Sequence, residues 1–183
     1  MIVALRDSTL ENSAKSHQKD ILAWLDASIP TRKYTNALKG RHTGTGSWYL
    51  QSEAFDRWFR EPCSISWLWG IPGCGKTVLS TTIIERLTDL CSNDQDHALA
   101  YFNFAFDDQA FQKVEGLVRS LVAQLCSQCT SIPYCVESLY SKQRSQPIPP
   151  TDDELRNMLR QLFGCFNQVF IVLDALDECI GKA

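Results

Sequence analysis

Apolar residues recur at intervals of three and four along six stretches of the chain, and this spacing predicts amphipathic helices. Pro30 should end the first of them, because proline cannot continue a helix. Ser52 and Thr151 stand where N-caps are expected, and Thr151 matches a capping box with Glu154 three residues later. The predicted helices are His17–Ile29, Glu53–Phe59, Val78–Leu90, Val114–Cys126, Tyr134–Lys142 and Asp152–Phe163.

Three shorter apolar runs predict strands at Ile65–Trp69, Ala98–Phe106 and Val169–Leu173. The apolar residues of the second run are nearly continuous rather than alternating, which is typical of a parallel strand covered on both faces. Strands that alternate with helices along the chain predict an α/β fold, in which helices flank a parallel sheet.

The length of 183 residues leaves room for one domain and a short extension. The polar stretch from Thr31 to Ser47 contains three glycines, so we interpret it as a linker. The predicted division is an N-terminal helix and linker at residues 1–42, followed by the folded domain at 43–183. Tryptophans near the first strand are expected to pack the helix Glu53–Phe59 onto the sheet: Trp48, Trp58, Trp67 and Trp69.

The composition is that of an ordinary globular protein, with 44% hydrophobic and 21% charged residues. A net charge of −3 gives no support for binding nucleic acid through a basic face. No apolar run is long enough for a membrane span and no secretory signal is visible, so we expect a cytoplasmic protein with free thiols. Cys126 and Cys129 form C-x-x-C, but two further metal ligands at matching spacing are missing, so core packing is the favoured interpretation.

A glycine-rich turn between the first predicted strand and the third predicted helix fits G-x-x-x-x-G-K-[ST] in full. Glycines let the backbone close around phosphates, with the N–H groups pointing inward and the helix N-terminus behind them. The lysine supplies a cation for the β- and γ-phosphates, and the threonine hydroxyl is a Mg²⁺ ligand. The predicted phosphate-binding residues are Gly70, Ile71, Pro72, Gly73, Cys74, Gly75, Lys76 and Thr77.

The strand Val169–Leu173 stops in three acids, a pattern known as Walker B. Asp174, the first of them, is the predicted Mg²⁺ ligand together with Thr77, because carboxylates and hydroxyls suit this hard cation. Asp177 and Glu178 are the candidate catalytic residues, since either could position or activate an attacking water.

Taken in order, these segments resemble the NACHT nucleoside-triphosphatase domain of fungal NOD-like receptors, in the nephrocystin-like N-terminal subgroup of the STAND P-loop NTPases. The resemblance covers about Thr43 to Cys179. It is carried by Gly44-Thr45-Gly46-Ser47-Trp48-Tyr49-Leu50, by the glycine-rich turn, by Leu117–Leu125, and by Leu173-Asp174-Ala175-Leu176-Asp177-Glu178-Cys179.

The resemblance implies a P-loop NTPase fold and a switch driven by ATP or GTP with Mg²⁺. Such switches act in non-self recognition and programmed cell death, and their active forms associate. The family continues beyond this point with further strands, lids and repeats, so the chain is expected to be C-terminally incomplete, with nucleotide hydrolysis slow at most.

Two functions stay open at this stage. The first is a nucleotide-binding switch module of a NOD-like-receptor type of signalling protein. The second is a non-enzymatic remnant that acts at most through self-association or pairing with full-length relatives. The acids after Leu173 favour the first, and the early end of the chain favours the second.

Overall fold

The computed structural model of the protein describes residues 16–29, 31–42, 44–105, 107–143 and 148–179. Within these ranges the chain is mixed α/β, with a small parallel sheet among many helices. The described part of helix α1 comprises residues 16–24. The remaining elements are α2 (Thr31–Gly40), α3 (Ser47–Leu50), α4 (Glu53–Arg60), α5 (Lys76–Asn93), β1 (His97–Asn103), α6 (Val114–Gln128), α7 (Tyr134–Gln143), α8 (Asp152–Phe163) and β2 (Gln168–Asp174).

β1 and β2 pair in parallel, with His97 opposite Gln168 and Asn103 opposite Asp174. Both faces of this ribbon are covered. Leu99 and Phe170 pack with α5 on one face, while Ala98 and other β1 residues pack with α1, α6, α7 and α8 on the other. The prediction of parallel strands that are covered on both faces is therefore confirmed.

Side chains of α6, rather than a further strand, occupy the outer edge of β1. Gln128 Oε1 accepts from the Leu99 N–H at 3.0 Å, and Gln128 Nε2 donates to the Leu99 carbonyl at 2.8 Å. Gln124 makes the same pair of bonds to Tyr101 at 3.1 and 2.8 Å. Because the two glutamines are four residues apart on one helix face, they satisfy the alternate outward-facing residues of the strand. The outward-facing backbone groups of Leu99 and Tyr101 are therefore already paired, and a further strand cannot bond to them.

The strand predicted at Ile65–Trp69 is wrong: these residues form neither strand nor helix. A strand requires a hydrogen-bonded neighbour, and the sheet of the described residues contains β1 and β2 alone. The run is held by side-chain contacts instead, such as the 2.8 Å bond between Ser66 Oγ and Tyr49 Oη. Ile65 is 90% and Trp69 86% exposed, so the apolar character that predicted a buried strand lies on the surface.

The stretch interpreted as a linker is also different in the structure. It contains helix α2 and a turn that leads into α3, and both helices pack on α5. The ring of Tyr34 in α2 packs against Tyr101 of β1 in a tilted arrangement, with 5.2 Å between ring centroids, and Arg41 pairs with Glu85 of α5. These tertiary contacts stabilise a segment whose polar composition alone predicted a loop.

The other helices lie close to their predicted positions, α4, α7 and α8 within one residue at either end. Ser52 and Thr151 are N-caps, and Thr151 with Glu154 forms the predicted capping box. The first helix ends at residue 24, before the predicted Ile29. Pro30 and Phe106 lie outside the described residues. No helix in the described part of the chain has both the length and the apolar character to cross a bilayer.

Only one of the four tryptophans behaves as the sequence predicted. Trp58 of α4 packs against Phe170 of β2, with ring centroids 5.8 Å apart. Trp48, Trp67 and Trp69 have most of their surface exposed: Trp48 lies on the short helix α3, and the other two lie in the unpaired segment Ile65–Trp69.

We expect Gln124→Leu to lower the free energy of unfolding by about 1–3 kcal/mol, because it leaves the Tyr101 N–H and carbonyl without partners. Chemical denaturation followed by circular dichroism measures this change. Gln161→Leu on the exposed face of α8 is the matched control, with an expected change within about 0.5 kcal/mol. Equal stability of the two variants would contradict the role assigned to Gln124.

Candidate functional site

The glycine-rich turn, Gly70–Thr77, depends on backbone conformations that only glycine adopts readily. Gly73 and Gly75 have φ angles of 79° and 92°. A Cβ on Gly70 would lie 2.6 Å from Cys74 Sγ, which is closer than real atoms approach. Glycines at these positions therefore let the chain fold back tightly, directly before α5 begins at Lys76.

The glycine-rich turn leads directly into the N-terminus of α5, which carries a partial positive charge. Gly75 is the N-cap residue of α5, and the first turn of this helix contains no acidic side chain. The unpaired N–H groups of a first helical turn and the helix dipole both favour an anion. A shallow cavity of about 220 Å³ lies at this point, lined by Gly73, Gly75, Lys76, Thr77 and Val78.

Lys76 lies across its own turn. Its Nζ donates to the carbonyl oxygens of Gly70 at 2.8 Å and Ile71 at 3.2 Å. The ammonium group is therefore held beside the cavity by neutral acceptors rather than by a carboxylate. A phosphate in the cavity would offer Nζ a charged acceptor, which forms stronger hydrogen bonds than a carbonyl does.

Asp174 ends β2 and is buried, with 8% of its surface exposed. Its Oδ2 accepts a hydrogen bond from Asn103 Nδ2 at 3.1 Å across the two strand ends. Asn103 Oδ1 is buried as well and has no hydrogen-bond partner among the described residues. A buried polar atom without a partner is costly, so this oxygen is a candidate acceptor for a hydrogen bond from a water or a ligand.

The path of α5 brings the turn and these two strand ends to the same side of the molecule. α5 ends at Asn93, shortly before β1 begins at His97, and it packs along both strands. Its 18 residues span about 27 Å, and each seven-residue strand spans about 23 Å. A helix of that length that leads back into β1 places its first residues, Lys76 and Thr77, at the carboxyl end of the sheet.

Asp177 and Glu178 lie on a short 3₁₀ turn, Leu176–Glu178, after the strand. Ala175 reverses the chain before this turn with a φ of 54°, a conformation that is unfavourable for alanine. Asp177 is exposed and Glu178 is partly buried. The two acids therefore follow Asp174 on a separate turn, which leaves them in a different environment from the buried carboxylate.

Asn103 was missed by sequence reasoning. It falls inside the apolar run Ala98–Phe106, where a single polar residue looks like an interruption. The available signal was its position: a polar residue at the carboxyl end of a parallel strand, one strand away from the acids.

The residues at this end of the sheet fit Mg²⁺. In the described residues no three histidine, cysteine or acidic side chains converge as a metal ligand set. Mg²⁺ does not require such a set, because it usually keeps several waters and takes one or two carboxylates together with substrate phosphates. The Asp174 carboxylate and the Thr77 hydroxyl are oxygen groups of the kind that Mg²⁺ prefers, and the amide that bonds to Asp174 carries a further oxygen, Asn103 Oδ1.

The family model described as "Nephrocystin 3, N-terminal" matches residues 44–183 of the chain. The match includes the glycine-rich turn and the acids after β2, and it omits α1 and α2. No curated protein and no solved structure shows significant similarity to the chain.

Proposed function

The chain belongs to the nephrocystin 3 N-terminal family, and we propose that it binds a nucleoside triphosphate with Mg²⁺ as the nucleotide-dependent switch module of a NOD-like-receptor type of signalling protein. The observation that carries the proposal is the glycine-rich turn, which leads into the α5 N-terminus with Lys76 Nζ held over its carbonyls. A P-loop NTPase domain of the NACHT type is the fold that we propose for the matched residues.

The proposed binding mode follows from the local geometry. Backbone N–H groups of Gly73 to Thr77 donate hydrogen bonds to the β-phosphate at the start of α5. The positive end of the helix dipole lies there and also attracts the phosphate. Lys76 Nζ leaves the Gly70 carbonyl and pairs with the β- and γ-phosphates. Because the turn is exposed and its glycines carry no Cβ atoms, the phosphates reach the backbone once the Lys76 side chain has moved.

Mg²⁺ would be held by the Thr77 hydroxyl and the Asp174 carboxylate, and it would neutralise the charge of the phosphates. The amide of Asn103 orients Asp174 through the Nδ2 hydrogen bond, and its Oδ1 is free to accept from a water of the ion. Asn103 is therefore a positioning residue in this proposal. Asp177 and Glu178 are the proposed groups that orient an attacking water in any hydrolysis step.

We expect Lys76→Ala to abolish the thermal stabilisation that ATP or GTP gives with Mg²⁺. Ligand at 100 times its Kd stabilises a protein by about 2.7 kcal/mol, which raises the melting temperature of a chain of this size by roughly 5–10 °C. Differential scanning fluorimetry measures this shift. Lys142→Ala, an exposed lysine on α7, is the matched control and should keep the full shift. The binding site is misassigned if both variants respond to nucleotide as the wild type does.

Among the acids, Asp174→Asn should remove the dependence of nucleotide binding on Mg²⁺, because the neutral amide is a weaker ligand for a hard cation. Glu178→Gln should leave binding largely intact and slow any phosphate release. Titration of a fluorescent nucleotide with and without Mg²⁺, together with a phosphate-release assay, separates the two effects. If Asp177→Asn stops hydrolysis and Glu178→Gln does not, the water-positioning role belongs to Asp177.

A second candidate function is pairing with another copy of this chain or with a related chain, and the open edge of β2 favours it. The pairing register directs the N–H and carbonyl groups of Val169, Ile171 and Leu173 away from β1. In the described residues no strand meets this edge. Leu173 and Leu176 beside it are 40% and 38% exposed, so an added strand would bury apolar side chains as well.

We expect Leu173→Lys to reduce concentration-dependent association, because a charged side chain on an open edge opposes strand addition. Sedimentation velocity over a range of protein concentrations provides the measurement. Val114→Lys is the matched control, since Val114 is 41% exposed on α6, away from the edge. A chain that stays monomeric at every concentration, or one that both variants affect equally, would rule out pairing through β2.

A further inference from the structure

An open cavity of about 470 Å³ lies between α1, α7 and the segment that precedes α8. It shares no residue with the proposed nucleotide site, and α1 precedes the residues that the family model matches. The proposed function therefore does not use this cavity. The described residues that line it are Asp20, Ala23, Trp24, Asp26, Tyr140 and Pro149.

Two aromatic rings form part of the cavity wall. The ring centroids of Trp24 and Tyr140 are 5.4 Å apart, and the ring planes are inclined at 68° to each other. His17 also packs against Tyr140, at 5.6 Å between centroids, so the tyrosine ring is held by two neighbours. Rings that stand nearly at right angles form an apolar corner, and the electron-rich faces of such rings attract organic cations.

Hydrogen bonds fix the indole ring and the segment that precedes α8. Trp24 Nε1 donates to the Ile148 carbonyl at 2.9 Å and to Gln143 Oε1 at 3.3 Å. Arg119 Nη2 of α6 donates to the Pro150 carbonyl at 2.9 Å. Because the indole N–H is already engaged, Trp24 offers a ligand only its apolar ring surface. The cavity is also preformed, which lowers the entropy cost of binding.

Two carboxylates give the cavity a negative charge. Asp20 lies one helical turn before Trp24 on α1, and Asp26 lies in the turn that follows the helix. Both residues are exposed, and neither carboxylate has an ion-pair or hydrogen-bond partner among the described residues. The carboxyl end of α1 adds partial negative charge beside Asp26.

The charge of the cavity is complementary to a cation. No basic side chain of the described residues lines it. Arg119 reaches the Leu25 carbonyl nearby, at 3.2 Å, but its charge is balanced by Glu115 at 2.8 Å. A metal ion is a poor fit, because Mg²⁺ and Ca²⁺ are bound through oxygen ligands, whereas most of this wall is aromatic or aliphatic.

We propose that this cavity binds a small quaternary ammonium solute, for which choline is the probe. The methyl groups of the cation contact the two rings together with Ala23 and Pro149, and its charge faces the two carboxylates. A quaternary ammonium has no N–H group, so it needs no hydrogen-bond acceptor in the wall. A primary ammonium has three N–H donors and is more strongly hydrated, so a mostly apolar wall favours it less.

Titration of the purified chain with choline at low ionic strength, followed by ligand-observed NMR, tests the proposal. We expect saturable binding, and binding that is roughly tenfold weaker for 3,3-dimethylbutan-1-ol, in which a carbon atom replaces the charged nitrogen. Methylammonium, which carries the same charge with a single methyl group, should also bind more weakly than choline.

Tyr140→Leu tests the aromatic wall. It should weaken choline binding roughly 3- to 30-fold, because it keeps an apolar side chain but removes one ring face. Tyr134→Leu is the matched control, since Tyr134 lies on the same helix and is 85% exposed. This control should bind choline as the wild type does.

The double variant Asp20→Asn with Asp26→Asn tests the charge, and it should weaken choline binding about 2- to 10-fold. Residue 26 has a φ of 48°, and asparagine adopts this left-handed conformation readily, so the fold should be retained. Glu53→Gln with Asp89→Asn is the matched control, because it removes two exposed acids from α4 and α5. Circular dichroism checks that every variant is folded.

Equal affinity for choline and its neutral analogue, or for choline and methylammonium, would overturn the proposal. So would a wild-type chain that does not bind choline, or test and control variants with equal effects. Phosphatidylcholine vesicles carry the same head group on a membrane surface and form a separate arm of the experiment. A chain that sediments with these vesicles but does not bind free choline would contradict the choice of a small solute.

Discussion

The parallel pairing of β1 with β2 places Asn103 opposite Asp174, and the positions of the other site elements follow from this register. A shift by one residue would turn Asp174 to the other face of the sheet and would break its bond to Asn103. α5, which leads into β1, packs along both strands, so its N-terminus lies at the carboxyl end of the sheet. The glycine-rich turn and the buried carboxylate therefore lie at the same end of a sheet of only two strands.

Both strands of this two-stranded sheet are edge strands with backbone groups that need hydrogen-bond partners, and these groups are covered on β1 but not on β2. Gln124 and Gln128 close the outer side of β1 with four hydrogen bonds from side-chain amides. The outer side of β2 has no such cover in the described residues, and the exposed apolar run Ile65–Trp69 is likewise unpaired. The asymmetry limits the addition of a further strand to the outer edge of β2.

Three of the left-handed backbone conformations in the described residues lie near the proposed nucleotide site, and the others are at Asp26, Gly44, Gly46 and Cys63. Gly73, Gly75 and Ala175 all have φ angles in the left-handed region, the first two before α5 and the third directly after Asp174. Glycine adopts this conformation at little cost, whereas for alanine it is unfavourable, so Ala175 carries a conformational cost that the surrounding packing must offset. The conformation of Ala175 changes the direction of the chain and separates the buried Asp174 from Asp177 and Glu178.

Local sequence patterns determined most of the helices, the caps at Ser52 and Thr151, the two paired strands and the glycine-rich turn. These features depend on residues within a few positions of each other, so that spacing and side-chain chemistry predict them. The matched family also includes the residues that the motifs singled out, although binding itself stays a proposal.

Only the tertiary structure decided which apolar runs became strands, because pairing depends on a neighbour that periodicity does not reveal. Ile65–Trp69 has the composition of a strand and no partner, whereas the polar Thr31–Gly40 became a helix through its contacts with α5. The same reason explains the role of Asn103, which bonds to Asp174, a residue 71 positions away along the chain. Sequence spacing measures distance along the chain, while these contacts depend on how the helices and strands pack in space.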